Sequence, residues 1–173
     1  MSTRAIIRTL IGFAAFGALV IAVAPASISG ATATANLAVS ATVITNCSIN
    51  TTALAFGNYD PAGAHTAADL DGTGTVSVAC TKNTAPTIAL GLGNNASGST
   101  RRLKDGGTNY LTYELYQEAG RTTIWGTSGA ALLSPGAAPS KAARDFTVYG
   151  RIAGNQDVPA GAFTDTVVAT VNF

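Results

Sequence analysis

Hydrophobic and polar residues alternate with a period of two in several short stretches of the chain. This alternation is typical of a β-strand that buries one face and exposes the other. The stretches cover residues 37–43, 54–56, 76–80, 88–92, 111–115, 146–152 and 167–173. After residue 33, no stretch offers ten residues of helical period with a capping residue. The pattern therefore predicts an all-β protein.

The segments between these stretches are rich in residues that favour turns. They include GNYDPAGA, DGTG, GNNASGS, KDGGTN and SPGAAPS. Glycine, asparagine, aspartate and proline adopt the backbone angles that tight turns require. Many short strands separated by such turns indicate a β-sandwich or a β-barrel. Residues 132–141 are rich in alanine and proline, which predicts a loop or a weakly paired edge.

The first thirty residues have a different character. Arg4 and Arg8 precede an uncharged apolar run at 10–24, and small residues follow. This order predicts a secretory signal peptide at 1–33, with cleavage between residues 26 and 35. The alternative is a membrane anchor, but the run is shorter than the about 20 apolar residues that span a bilayer. No later segment approaches that length, so we expect no membrane span in the mature chain.

Charge and composition exclude several classes of function. Of the 173 residues, 11% are charged, the net charge is +1 and there is one histidine. A near-neutral chain lacks the basic surface that nucleic acid requires. One histidine leaves no multi-histidine metal site and few candidates for a general base. We therefore expect no cofactor, no metal and no enzymatic activity.

Individual polar residues suggest catalytic or metal chemistry only weakly. His65 lies in a turn region without a local nucleophile, so an exposed loop histidine is the better interpretation. Glu114 and Glu118 resemble a carboxylate pair, but a solvated strand face explains them as well. Asp69 and Asp71 lack the later ligands of a calcium loop. The basic residues Arg101, Arg102 and Lys104 precede Asp105, which favours a hairpin end of mixed charge.

Cys47 and Cys80 are the two cysteines of the chain. An even number of cysteines in an exported protein favours a disulfide. In the chain-entropy model, closing this loop would stabilise the fold by about 3–4 kcal/mol. The chain contains no C-x-x-C motif, so nothing in the cysteine spacing indicates a redox or zinc site.

Two alternating stretches raise the question of a partner strand. Residues 35–43 contain no glycine, proline or charge, and residues 167–173 alternate up to the last residue. A free apolar strand pairs readily with an open sheet edge, also in another chain. From periodicity alone, residues 35–43 are equally well the first strand of their own domain.

Four elements in order resemble the spore coat protein U domain family, which includes pilins of archaic, Csu-type chaperone–usher pili. The first is Leu37-x-Val39-x-Ala41-x-Val43 before Cys47, and the second is Leu54-x-Phe56-Gly57-x-Tyr59 followed by Val76-x-Val78-x-Cys80. The third is Arg102-Leu103, then Leu111-x-Tyr113-x-Leu115-Tyr116 and Trp125-Gly126. The fourth is Asp165-x-Val167-x-Ala169-x-Val171-Asn172-Phe173. The resemblance covers nearly all of the mature sequence.

The resemblance implies an incomplete immunoglobulin-like β-sandwich that lacks its last strand. Residues 34–46 would form an N-terminal donor segment and residues 47–173 the pilin domain. The inserting side chains of the donor strand would be Leu37, Val39, Ala41 and Val43. The acceptor groove, which also binds the chaperone, would lie along Val167, Ala169, Val171 and Phe173. The small Ala41 departs from the larger residues that would fill a pocket better.

The resemblance also implies a function and partners. The chain would be a structural fimbrial subunit that polymerises by donor-strand complementation, which is a form of β-augmentation. Its partners would be a periplasmic chaperone, an outer-membrane usher and identical or related pilin subunits. It would pass through the periplasm to the cell surface and support attachment and biofilm formation. The alternative is a stand-alone secreted binding or coat module with a self-contained sandwich.

Overall fold

The computed structural model describes residues 29–173. Residues 29–40 belong to a first unit of the chain, and those twelve residues contain no helix or strand. Residues 41–173 form a second unit, which contains all the strands described below. The apolar run of the predicted signal peptide lies outside the described residues. No helix within residues 29–173 is long and apolar enough to cross a membrane.

The second unit is built from β-strands, as the alternation predicts. Its one short helical element within the described residues is a 3-10 turn at Gly129–Ala131. The strands are β1 (Cys47–Thr52), β2 (Leu70–Cys80), β3 (Thr87–Leu90), β4 (Arg101–Lys104), β5 (Tyr110–Tyr116), β6 (Arg144–Ile152) and β7 (Ala169–Asn172).

Five strands form one antiparallel sheet in the order β1-β2-β6-β5-β4. On its inner face Val76, Val78, Leu115 and Val148 are buried. Their chain neighbours, such as Thr147, point to the other face and are more exposed. Strand side chains alternate between faces, so the period of two in the sequence determines which residues form the core. The largest core side chain is Trp125, whose indole N–H donates to the Ile88 carbonyl at 2.9 Å.

The strands β3 and β7 form a second, antiparallel sheet. A short segment connects the two sheets by backbone hydrogen bonds. Trp125 N–H donates to the Leu115 carbonyl in β5 at 2.9 Å, and Leu90 N–H in β3 donates to the Gly126 carbonyl at 3.0 Å. Backbone pairing therefore continues from β1 through β2, β6, β5 and residues 125–126 to β3 and β7.

The far edge of β3 is covered by residues 126–138. Ile88 and Leu133 exchange two backbone hydrogen bonds of 2.9 and 3.0 Å. Ala138 N–H donates to the Thr84 carbonyl at 2.7 Å, and the Ala138 side chain is buried. The alanine- and proline-rich segment is thus irregular, as expected, but it satisfies the backbone groups of a sheet edge that would otherwise be open.

The predicted disulfide between Cys47 and Cys80 is present, with Cα atoms 4.1 Å apart. The two cysteines are directly opposite each other where β1 begins and β2 ends. The bond therefore fixes the first residue of β1 to the sheet.

Three strand predictions differ from the structure. Residues 37–43 carry no strand, because a strand requires a hydrogen-bonding partner and these residues have no partner strand within residues 29–173. Leu54 and Phe56 also lie outside the ladder, although both pack against the core. They cover Gly150 of β6, where an added Cβ would come within 2.8 Å of both side chains. Conversely, β4 forms where we predicted the end of a hairpin.

Candidate functional site

The edge of β7 that faces away from β3 has no partner strand among residues 29–173. On the β3 side, Gly91 N–H donates to the Val168 carbonyl at 2.9 Å, and Ala89 is opposite Thr170. In an antiparallel ladder, successive residues direct their backbone groups to opposite sides. Val167, Ala169 and Val171 therefore direct their N–H and C=O groups toward the open side, while their side chains are half-buried.

A groove separates this open edge from the segment that follows β1. Along the narrower part, Thr51–Leu54 lie opposite Val167 and Ala169 around a cavity of about 280 Å³. Along the wider part, residues 54–61 lie opposite 158–165 around a cavity of about 750 Å³. Cα atoms of β1 and β7 come within 8 Å of each other, so these two strands bound the groove closely. Within residues 29–173, the groove lies where the strand order is interrupted between β7 and β1.

The lining of the groove is mostly apolar. Leu111, Leu115, Val148 and Ile152 line it from the large sheet and belong to the core. Several further side chains border the groove and pack only partly: Leu54, Phe56, Leu103, Val158, Phe163 and Val167. An apolar lining beside an unpaired strand edge provides both requirements for β-augmentation, which are backbone hydrogen bonds and side-chain pockets.

A polar cluster lies at the junction of the two parts of the groove. Asp165 borders both cavities. Its carboxylate accepts hydrogen bonds from the Tyr113 hydroxyl at 2.7 Å and from the Asn94 N–H at 2.9 Å. The Asn95 backbone and side-chain amides donate to the same carboxylate at 3.2 and 3.1 Å. Burial, and then the hydrogen bond to the Asp165 carboxylate, raise the pKa of Tyr113 well above its ordinary value.

The buried side chain of Arg101 forms hydrogen bonds with the backbone at the end of β3. Arg101 is 0% exposed, and its guanidinium donates to the carbonyls of Leu90, Gly91 and Trp125 at 2.7–3.0 Å. It also pairs with Glu114. β4 and β5 do form a hairpin, but the prediction of a mixed-charge hairpin end does not hold for the buried Arg101. Glu114 lies, as predicted, on the less buried face of β5, opposite Leu115. The alternation pattern does not distinguish this arginine from a surface one.

The predicted donor residues are exposed in the structure. Leu37, Val39 and Val43 are 87%, 85% and 83% exposed, and Ala41 is exposed as well. Exposed large apolar side chains in series are unusual for a soluble chain. Of the predicted acceptor residues, Val167, Ala169 and Val171 border the open edge, whereas Phe173 is 58% exposed.

The other polar candidates have structural partners. Asp71 pairs with Arg151, and this hydrogen bond lowers the pKa of the carboxyl. The ring of His65 stacks on Tyr59, and its Nδ1 accepts the Asp60 N–H at 2.8 Å. Within residues 29–173, no group of three His, Cys, Asp or Glu side chains could hold a metal ion.

Comparison with solved structures finds a neighbour of the same fold. It is a chain of the CsuC–CsuE chaperone–tip adhesion subunit pre-assembly complex from archaic chaperone–usher Csu pili of Acinetobacter baumannii. The TM-score is 0.56 at 21% sequence identity, and the match covers 76% of this chain and 41% of that chain. The predicted fold class, an all-β immunoglobulin-like sandwich, is thereby confirmed.

Comparison of sequences identifies a relative that matches over almost the full length. Protein U of Myxococcus xanthus is 41% identical over 181 aligned positions, covering 96% of this chain and 98% of that protein. The family model of the Spore Coat Protein U domain matches residues 33–170. The chain therefore belongs to the Spore Coat Protein U domain family.

Proposed function

We propose that this chain is a structural fimbrial subunit that polymerises by donor-strand complementation. The observation that carries the proposal is the open edge of β7 beside an apolar groove, in a chain that also exposes an alternating apolar segment. Residues 34–43 of the N-terminal segment (residues 34–46) of one copy would fill the groove of the next. Residues 47–173 would form the acceptor domain.

The lengths of the two elements agree. The edge that borders the groove, from residue 163 to residue 169, spans about 20 Å at about 3.3 Å per residue. Residues 34–43 provide ten residues, which is enough to pair along this edge. Only one face of an added strand would meet the groove, and Leu37, Val39, Ala41 and Val43 share one face. The alternation of the segment would thus direct its apolar side chains into the groove and its polar side chains away from it.

The apolar side chains would provide much of the stabilisation. Burial of each Leu or Val side chain contributes about 1.5–3 kcal/mol before the cost of ordering the segment. The backbone hydrogen bonds along β7 would add directional specificity. Ala41 contributes less, so we expect it to occupy a shallow position.

The groove must be covered before assembly, because an exposed apolar edge aggregates. A periplasmic chaperone would cover it first, and an outer-membrane usher would exchange the chaperone for the next subunit. The structural neighbour, a chain of a chaperone–subunit pre-assembly complex, supports a chaperone as a partner. Export would follow from the signal peptide at 1–33, and the fibre at the cell surface would support attachment and biofilm formation. A structural subunit of this kind needs no catalytic site.

A matched pair of substitutions tests the proposal. Val39→Asp places a charge on the face that would enter the groove, whereas Ser40→Asp places it on the opposite face. We expect Val39→Asp to abolish multimer ladders that resist SDS, and Ser40→Asp to leave them intact.

Ladders that survive Val39→Asp, or that also persist without residues 31–43, would contradict donor-strand complementation. A stable monomer in which residues 35–43 are protected from hydrogen exchange would instead indicate the stand-alone secreted module.

A further inference from the structure

The point where the N-terminal segment joins the domain is fixed by one side chain. The hydroxyl of Thr81 accepts the Asn46 N–H at 3.0 Å. The same oxygen lies 3.2 Å from the Ile44 carbonyl and 3.3 Å from the Asn46 carbonyl, and it can donate its proton to either. The backbone N–H of Thr81 donates to the Asn46 carbonyl at 2.8 Å. Thr81 therefore holds residues 44–46 by side chain and backbone together.

This anchor directly follows the disulfide. Cys47 and Cys80 are a bonded pair at the end of the β1–β2 ladder, and Asn46 and Thr81 are the next pair beyond it. The ladder itself stops at Cys47. The hydrogen bonds to Thr81 hold up to three further residues, 44–46, against the domain. Val43 is the first residue outside the anchor and is also the last of the predicted inserting residues. No flexible linker therefore separates the anchored residues 44–46 from the predicted inserting residues 37–43.

We propose that Thr81 is a positioning residue that fixes the direction in which the N-terminal segment leaves the domain. A flexible linker of several residues would let the segment sample many directions. Here the anchored residues leave only the backbone torsions near Val43 free. The inference rests on the proposed function for its consequence, which is a stiff joint between consecutive subunits of a fibre.

Two substitutions at this position separate the hydroxyl from the shape of the side chain. Thr81→Val keeps the volume and removes the hydroxyl, and Thr81→Ser keeps the hydroxyl. The first measurement is residue-resolved hydrogen exchange of the Asn46 amide on the purified exported protein. We expect exchange about five- to tenfold faster in Thr81→Val, as expected for the loss of one hydrogen bond. Thr81→Ser should restore the protection.

The second measurement is the persistence length of fibres in electron micrographs. We expect Thr81→Val to reduce it by about half or more, since its linker is no longer anchored, and Thr81→Ser to retain it. The melting temperature of the domain should be the same in both variants, because the anchor lies outside the core. The persistence length of the fibres would not change if Thr81 only stabilised the end of the β1–β2 ladder.

The outcomes distinguish the inference from the proposed function. Equal Asn46 protection in the two variants would overturn the anchor. Faster exchange with unchanged fibre stiffness would overturn its role in setting direction. If the unsubstituted protein forms no fibres, the proposed function fails, and the exchange measurement alone decides whether Thr81 holds the segment.

Discussion

The hydroxyl of Tyr113 donates a hydrogen bond of 2.7 Å to the carboxylate of Asp165, which connects the middle of β5 to the segment that leads into β7. The other oxygen of the carboxylate holds the turn at Asn94 and Asn95. Gly93 lies so close that an added Cβ would be 1.9 Å from the Asp165 carboxylate, and its φ is +89°. The segment that leads into β7 is therefore held to β5 and to the turn at residues 93–95, at the point where Asp165 borders both parts of the groove.

We expect Tyr113→Phe to lower the free energy of unfolding by about 1 kcal/mol, because one hydrogen bond is lost while the ring keeps its packing. Asp165→Ala should cost more, since it removes the acceptor of four donors at once. Urea denaturation of each variant measures the effect. Equal stabilities of Tyr113→Phe and the unsubstituted protein would show that this bond contributes nothing.

The raised pKa of Tyr113 predicts sensitivity to alkaline pH. The folded state keeps the phenolic proton at a pH where the unfolded state loses it. This contribution is therefore complete below about pH 10, and it falls by up to about 1.4 kcal/mol per pH unit above that value. Tyr113→Phe should show a shallower loss of stability between about pH 10 and 11.5. Identical slopes for the two proteins would contradict the assignment to Tyr113.

Arg101→Met should destabilise the domain strongly, by about 3–5 kcal/mol, because it leaves buried carbonyls and Glu114 without their partner. The neighbouring Arg102→Met is the matched control. Arg102 lies 3.9 Å above the ring of Tyr110 and is only half-buried. We expect this control to cost about 1 kcal/mol or less. Chemical denaturation measures the free energy of unfolding of both variants. Similar decreases in the two would show that the buried position of Arg101 does not make it more important for stability.

Removal of the disulfide by Cys47→Ser with Cys80→Ser should lower the free energy of unfolding by about 2–4 kcal/mol. The bond closes a loop between residues 33 positions apart, which restricts the unfolded chain. The melting temperature in the presence and absence of reductant provides a second measurement. Reductant should not affect the double variant, and an unchanged melting temperature of the native protein under reductant would argue against the bond.

Local pattern was sufficient for much of the fold. The period of two identified the cores of β2, β3, β5 and β6, because a half-buried strand must alternate. Cys47 and Cys80 indicated the disulfide by number and compartment. Leu37, Val39, Ala41 and Val43 stood out as an apolar face, although no pattern decides which chain such a face meets.

Features that depend on distant contacts required the tertiary structure. β4 was missed because Arg101 is buried by carbonyls of Leu90, Gly91 and Trp125, and no local pattern indicates that environment. Leu54 and Phe56 alternate like a strand, but their side chains instead pack over Gly72 of β2 and Gly150 of β6.

The sequence by itself predicted an all-β chain with a Cys47–Cys80 disulfide, and it marked residues 35–43 as an alternating apolar segment without deciding which strand they pair with. Only the tertiary structure decided where the strand order is interrupted. Residues 126–138 cover the free edge of β3, and β7 keeps its other edge open beside an apolar groove. The reason is physical: alternation encodes which face of a strand is buried, whereas the pairing of an edge depends on which distant segment reaches it.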